Sequence, residues 1–240
     1  MRRLPTMLQS NIFDMWANGY DKEVQLSDDN NDYPFAGYKK VMNLIYSKIM
    51  ENSPASVLDI GIGTGTLALK LYEKGNKITG IDFSSEMLAI AQPKMPNAEL
   101  FQFDFAQGLP PEIADKKYDF IVSTYAMHHL TDPLKVTFIK SLLGHLNESG
   151  SILIGDIGFP TRHEFEECKN QHDEDDWDDD EYYFVFSEIS EVLSGSCIVT
   201  FEQISHCAGV MIIREAKGTS DCYETPLPQA KNEAKTESSL

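Results

Sequence analysis

Short apolar runs and segments with helical spacing alternate along the chain from residue 37 to about residue 160. The apolar runs predict buried strands at residues 57–60, 77–81, 100–103, 118–123 and 151–154. The segments between them have helical spacing and, at Ser84-Ser85 before Glu86, the residues of a helix N-cap. Strands that alternate with helices form parallel sheets covered on both faces, so the pattern predicts an α/β fold.

The pattern changes near residue 160. A polar helix is predicted at about residues 161–172, followed by the acidic run DEDDWDDDE, which is interpreted as a solvated loop or helix end. Two strand-like runs at residues 198–204 and 209–213 predict an antiparallel hairpin. We expect an N-terminal part at residues 1–36, with a helix at 10–17 and a loop at 27–35. A domain at residues 37–216 and a disordered tail at 217–240 follow it.

Composition narrows the class of partner. The chain has 38 acidic and 20 basic residues, giving a formal net charge of −18. Such a charge repels a phosphate backbone, so nucleic acid is not an expected partner. The cysteines lack CxxC spacing and are expected to be reduced thiols. No signal peptide or apolar stretch of membrane-spanning length is visible, so we expect a cytoplasmic protein without a membrane partner.

The stretch DIGIGTGTL, residues 59–67, joins a predicted strand to a predicted helix through Gly61, Gly63 and Gly65. A nucleotide phosphate loop needs a lysine and a Ser or Thr after its last glycine, and Thr66-Leu67 stands there instead. The dinucleotide fingerprint needs glycine at its sixth position, which is Thr66 here. The loop therefore argues against a nucleotide phosphate ligand and weakens the case for a dinucleotide.

Acidic residues stand at the ends of the first three predicted strands. Asp59 can receive an ammonium group or water, and Asp82 can accept hydrogen bonds from both hydroxyls of a ribose. Asp104 can accept from an adenine amine, with Phe83 and Phe105 in contact with the ring. The carboxyl ends of parallel strands meet at one edge, so this set suits a ligand with a ribose, an adenine and a positive charge but no phosphate.

Four segments carry a family resemblance: VLDIGIGTGTLALKL, ITGIDFSSEMLAIA, FQFDF and YDFIVSTYAMHHLTD. In order and spacing they resemble the motifs of class I S-adenosylmethionine-dependent methyltransferases over roughly residues 35–160. STYAMHHLTD and the N-terminal FDMWANGYDKEV most resemble a subgroup of small bacterial methyltransferases, many without an assigned substrate.

The resemblance implies a Rossmann-like sheet of seven mostly parallel strands, ending in an antiparallel hairpin, with helices on both faces. It also implies S-adenosyl-L-methionine as the cofactor. Asp59 and the three glycines would hold its methionine part, Asp82 its ribose, and Asp104 with Phe105 its adenine.

His128 and His129 follow the fourth predicted strand, at the rim where ligands bind in open α/β sheets. Either can take a proton from a nucleophile, and the alternative is a histidine packed under the next helix. A metal is not expected, because no nearby cysteine or acid completes a ligand set. The resemblance makes the N-terminal segment a lid with Tyr20 at the sulfonium or substrate, and the alternative is an aromatic staple. It also makes the aromatic residues at 182–184 candidates for closing over the substrate.

The expected function is methyl transfer from S-adenosylmethionine to a small-molecule acceptor by in-line displacement, in a monomer or homodimer. One alternative is a sensor that binds the cofactor or its homocysteine product without turnover. Another is a nicotinamide-dependent oxidoreductase. The acceptor and the methylated atom stay open.

Overall fold

The structure is a computed structural model that describes residues 20–172, 177–178 and 180–216. Of residues 20–25 it describes only one side chain, that of Val24. The predicted helix at residues 10–17 and the predicted tail at 217–240 lie outside the described residues.

Helices and strands alternate through most of the described chain. The helices are α1 (Tyr20–Asn30), α2 (Tyr38–Met50), α3 (Thr66–Tyr72), α4 (Ser85–Ala91), α5 (Asp132–Leu143), α6 (Arg162–Lys169) and α7 (Phe186–Leu193). The strands are β1 (Ser56–Ile60), β2 (Lys77–Asp82), β3 (Glu99–Gln102), β4 (Tyr118–Thr124), β5 (Leu146–Phe159), β6 (Phe184–Val185), β7 (Cys197–Gln203) and β8 (Ala208–Glu215).

The described strands form one sheet in the order β3-β2-β1-β4-β5-β8-β7, and β6 pairs with β5 outside this path. The pairs from β3 to β5 are parallel, whereas β8 runs antiparallel to both β5 and β7. The predicted α/β fold, with its mostly parallel sheet and C-terminal antiparallel hairpin, is confirmed. The parallel order brings the ends of β1, β2 and β4 to one edge.

Apolar packing covers both faces of the sheet. Val57 of β1 belongs to the cluster that contains Ile45 of α2, while its neighbour Leu58 belongs to the cluster that contains Phe138 of α5. Successive strand residues point to opposite faces, so a strand buried on both faces has a continuous apolar run. Among the described residues, no helix is long and apolar enough to cross a membrane.

Element boundaries differ from the sequence prediction in several places. The strand predicted at residues 151–154 runs from Leu146 to Phe159, because β4, β6 and β8 all pair with it. The loop predicted at residues 27–35 is wrong at its start, since α1 continues to Asn30. The predicted cap at Ser84 is confirmed, because its hydroxyl accepts a 3.2 Å hydrogen bond from the Met87 N–H.

Candidate active site

A cleft opens where β1, β2 and β4 end, with about 740 Å³ of empty space when the open solvent at its mouth is included. The wall includes many of the sequence-predicted site residues: Asp59, Gly61, Gly63, Asp82, Phe83, Phe105 and His129. The described residues of the wall do not include Gly65, Asp104 or His128.

The glycine loop brings bare backbone to the cleft. Gly61 has φ 71°, and a Cβ there would lie 2.5 Å from the Cβ of Ala126, so no larger residue fits without movement. Gly63 has φ 55°, and a Cβ there would meet no atom within 4 Å. Its N–H donates a 2.8 Å hydrogen bond to Asp82 Oδ2, which fixes the loop against the end of β2.

Asp59 is a buried carboxyl on the wall of this cleft. The residue is 2% exposed, and its Oδ1 has no hydrogen-bond partner among the described residues. Burial, and then the charge of Asp82, raises the pKa of Asp59 to about 7. A buried carboxyl oxygen without a donor destabilises the fold. An ammonium group in the cleft would supply both a donor and a positive charge, so Asp59 fits the amino group of an amino-acid ligand.

Asp82 and Asp104 both hold local backbone, but only Asp82 lines the cleft. Asp82 Oδ1 accepts a 2.9 Å hydrogen bond from the Ser84 N–H, in addition to the bond from the glycine loop. A carboxylate has about four lone-pair sites and can accept hydrogen bonds from ribose hydroxyls. Asp104 Oδ1 accepts from the Ala106 N–H at 2.9 Å and so caps the short helix Phe105–Gln107.

Apolar rings stand beside these acids, as the resemblance implies for an adenine site. Phe83 and Phe105 both line the cleft. Phe105 is 3% exposed and stacks on Phe138 with ring centroids 5.9 Å apart. This stacking holds the Phe105 ring in place, so that side of the cleft is apolar.

The two histidines form a short 3-10 turn after β4 and have different surroundings. His128 is buried, and its Nδ1 lies 2.6 Å from Asp156 Oδ1 on β5. Asp156 Oδ2 also accepts from the backbone N–H of His128 and of Met127, at 3.2 and 3.0 Å. Burial lowers the pKa of His128, but the charge and hydrogen bond of Asp156 outweigh burial and raise it. His129 instead lines the cleft.

The acidic run does not stay in solvent where it meets the histidines. Trp177 is 7% exposed and stacks on Tyr33, with centroids 5.1 Å apart. Glu181 Oε1 lies 3.5 Å from His128 Nε2 and 3.8 Å from His129 Nδ1. The expected solvated run is therefore wrong at these two residues, because aromatic packing docks the segment. The expectation that no acid lies near the histidines is wrong for the same reason.

The segment after Glu181 is attached by two backbone contacts. The Tyr182 N–H donates to the His128 carbonyl oxygen at 2.8 Å, and Lys135 Nζ donates to the Tyr182 carbonyl oxygen. Lys135 is completely buried and also pairs with Asp132 at 3.0 Å. These bonds hold the segment against α5 and the histidine turn.

The three clustered groups affect one another's ionisation. Burial, and then the charge of His128, lowers the pKa of His129 to about 2. Burial raises the pKa of Glu181, although the charge of His128 opposes the effect. The cluster therefore combines a neutral imidazole on the cleft wall with a carboxyl whose ionised form is destabilised by burial.

Sequence reasoning missed Asp156, Glu181 and Tyr125. The signal for Asp156 was a carboxylate inside the apolar run ILIGDIGF, and the signal for Glu181 was the tryptophan within its acidic run. Tyr125 lines the cleft with a left-handed φ of 50°, and its buried hydroxyl has no hydrogen-bond partner among the described residues. The side chain of Tyr20, the first residue of α1, lies outside the described residues.

Comparison with known proteins points in the same direction. A family model described as a methyltransferase domain matches residues 57–150. An uncharacterized methyltransferase of Alkaliphilus oremlandii is 34% identical over 164 residues, which is 68% of this chain and 74% of that protein. An uncharacterized methyltransferase of Anoxybacillus flavithermus is 36% identical over 155 residues, covering 65% of this chain and 70% of that protein.

Solved structures share the fold at lower sequence identity. The DhpI-SAM-HEP complex superposes with a TM-score of 0.63 at 17% identity, over 89% of this chain and 100% of that chain. Magnesium protoporphyrin IX methyltransferase from Synechocystis, with bound SAH, gives 0.62 at 15% identity, over 86% and 100%. At these identities the likeness shows the architecture alone.

Proposed function

The chain belongs to the class I S-adenosylmethionine-dependent methyltransferases, and we propose that it methylates a small-molecule acceptor by in-line displacement. The observation that carries the proposal is the buried Asp59 carboxyl, with its orphan oxygen, in the same cleft as His129. Bound S-adenosylmethionine supplies a methyl group already activated on a sulfonium. The protein's part is therefore to align the acceptor with that methyl group and to exclude water.

Different residues of the cleft bind the methionine, ribose and adenine parts of the cofactor in this proposal. Asp59 receives the ammonium of the methionine part, Asp82 receives the ribose hydroxyls, and Phe83 with Phe105 contacts the adenine ring. The glycine loop lets backbone approach the methionine part closely. Asp104 supports the adenine side by holding the short helix that carries Phe105.

The acceptor is placed on the side of the cleft where His129 and Tyr125 form the wall. His129 is the histidine that contacts the acceptor, while His128 lies behind it and ties the turn to Asp156. Tyr20 begins the helix proposed as part of the lid over this side. One cleft has to hold the cofactor and the acceptor together, and the charge of −18 repels polyanions. Both facts favour a small molecule.

We place this activity in the cytoplasm. Cys168, Cys197 and Cys207 are free thiols buried in the fold, as expected for a protein of a reducing compartment.

Product analysis tests the proposed reaction. Incubation with S-adenosylmethionine and fractionated metabolite extracts should yield a product heavier by one methyl group, together with S-adenosylhomocysteine. Tight cofactor binding without turnover in any extract would contradict the proposed reaction.

Calorimetry tests the cofactor assignment separately. Asp82→Ala should weaken S-adenosylmethionine binding by about 1.5–3 kcal/mol, the scale of losing charge-assisted hydrogen bonds. The exposed Asp115 offers a matched control, since Asp115→Ala changes charge equally and should leave the affinity unchanged. Circular dichroism checks that both variants fold. A folded Asp82→Ala protein with wild-type affinity would remove Asp82 from the cofactor site.

A further inference from the structure

His128, His129 and Glu181 place one ligand atom each within 4.8 Å of one another. The atoms are two imidazole nitrogens and one carboxylate oxygen. His128 Nε2 and His129 Nδ1 lie 3.5 and 3.8 Å from Glu181 Oε1. We propose that these three side chains bind one divalent transition-metal ion, with Zn²⁺ as the ion that fits best.

The distances are close to those of a metal centre. Ligand atoms around tetrahedral Zn²⁺ lie about 3.3 Å apart, given Zn–N and Zn–O bonds of about 2.0–2.2 Å. The two histidine–Glu181 separations exceed this value by a few tenths of an ångström, and the two imidazole nitrogens lie within 4.8 Å of each other, so side-chain rotations have to bring the set together. Two histidines and one carboxylate are also the ligand set of a class of catalytic zinc sites.

The atoms around the three ligands orient them. Asp156 Oδ1 holds His128 Nδ1 at 2.6 Å, so Nε2 is the nitrogen that faces Glu181. A carboxylate that fixes the second nitrogen of a histidine is the usual support of a histidine metal ligand. Glu181 in turn has a side-chain hydrogen bond with Tyr183. Both ends of the ligand set are therefore held by buried polar partners.

Charge favours a divalent cation. Asp156 is buried, and the Glu181 side chain is 21% exposed, so two carboxylates are largely withdrawn from water beside the two imidazoles. An ion of charge +2 balances both. The nearby cation Lys135 has its own carboxylate partner, Asp132, at 3.0 Å.

His129 connects the proposed metal site to the cleft. In the proposed site, the fourth coordination position faces the cleft that His129 lines. Three protein ligands and one open position are the arrangement of catalytic rather than structural zinc. That position suits an acceptor with a hydroxyl, thiol or carboxylate group. The acceptor role rests on the proposed methyltransferase function, whereas ion binding does not.

The test uses the full chain after removal of metals by chelation and dialysis. Co²⁺ titration should give the absorption bands of a tetrahedral cobalt centre, saturating near one ion per chain, and Zn²⁺ should displace the Co²⁺. Mass-spectrometric metal analysis after equilibrium dialysis measures the same stoichiometry. Glu181→Gln keeps the side-chain shape and should weaken binding of either ion by at least about 100-fold.

The chain offers a matched control on its surface. His163 Nε2 lies 3.7 Å from Glu167 Oε1 on α6, and the His163 side chain is 80% exposed. His163→Gln therefore removes a solvent-facing histidine–glutamate pair and should leave Co²⁺ binding unchanged. His129→Gln is a second variant that removes a different ligand and should weaken the binding as Glu181→Gln does.

Two results would overturn the metal site: wild-type protein that takes up neither ion, or uptake in Glu181→Gln and His129→Gln equal to that of His163→Gln. The wild-type titration decides even if a variant fails to fold. S-adenosylmethionine affinity is measured on the same samples. Absent ion uptake with intact cofactor binding rejects the metal site alone, and absent cofactor binding with intact ion uptake rejects the proposed function alone.

Discussion

Asp59 should make cofactor binding release a proton. The carboxyl is buried, its Oδ1 has no partner among the described residues, and its pKa is raised to about 7 by burial and then by the charge of Asp82. At pH 6 the group is therefore mostly protonated in the free protein. A cationic ammonium placed beside it stabilises the ionised form and lowers its pKa. Binding then expels the proton.

The magnitude follows from the pKa of about 7. Binding should release about 0.9 proton at pH 6 and about 0.1 proton at pH 8, if the bound carboxyl is fully ionised. The association constant should fall by about tenfold for each pH unit well below 7. Asp59→Asn cannot release this proton, so its weaker binding should lose most of this pH dependence.

The free energy of unfolding should change with pH in the direction opposite to the association constant of the cofactor. The folded pKa of Asp59 lies above the value of about 3.9 for an unfolded chain, so the folded protein retains the proton more strongly. The free energy of unfolding should therefore fall as pH rises from about 4 to about 7. Asp59→Asn should remove this loss and be more stable than wild type at pH 8, in the absence of cofactor.

Isothermal titration calorimetry measures the released proton directly. At each pH the titration is run in two buffers with different heats of protonation, and the difference in binding enthalpy gives the number of protons. Asp115→Asn, an exposed acid-to-amide change, is the control and should behave as wild type. Wild-type binding with no proton release at pH 6, or equal release in Asp59→Asn, would refute the assigned contact.

Two further predictions concern the glycine loop and the segment that contains Tyr182. Gly61→Ala should destabilise the protein by about 2–4 kcal/mol in urea unfolding, because its Cβ would lie 2.5 Å from that of Ala126. Gly63→Ala, with no atom within 4 Å of the added Cβ, should lose only the roughly 1–2 kcal/mol of a left-handed residue; equal losses would contradict the packing argument. Lys135→Met should leave the Tyr182 carbonyl without its buried donor and speed amide hydrogen exchange at residues 180–185, and unchanged exchange would show that the lysine does not hold this segment.

The cofactor half of the cleft was largely predictable because its information is local. The parallel order places the ends of neighbouring strands together, so the acid that ends each apolar run can be assigned to a position. Asp59 and Asp82 both lie where this reasoning puts them, on the wall of the cleft. Asp104 shows the limit of the rule, because its carboxylate holds the next turn and is outside the wall.

The acceptor half depends on contacts between distant parts of the chain. Glu181 reaches the histidines because Trp177 and Tyr183 pack on Tyr33. A run of acidic residues has no hydrophobic periodicity, so the sequence does not predict this packing. The length of β5 was missed for a similar reason. Its C-terminal end is set by pairing with β6 and β8, which come later in the chain, and its first residue, Leu146, pairs with Tyr118 of β4.

The buried ionisable groups at this edge are hard to explain as stabilising features. An ion pair withdrawn from water gains little over well-packed apolar residues of the same volume, because desolvation offsets the attraction. Among the described residues, Asp59 has no hydrogen-bond partner for one oxygen, and Glu181 has a hydrogen bond with Tyr183 and lies beside two histidines. Asp59 lines the same cleft as His129, and Glu181 contacts His129. Their cost to folding is offset only when a ligand brings positive charge to each, an ammonium at Asp59 and a metal ion at Glu181. Added S-adenosylmethionine and added Zn²⁺ should therefore each raise the melting temperature, and Asp59→Asn and Glu181→Gln should each remove one of the two shifts.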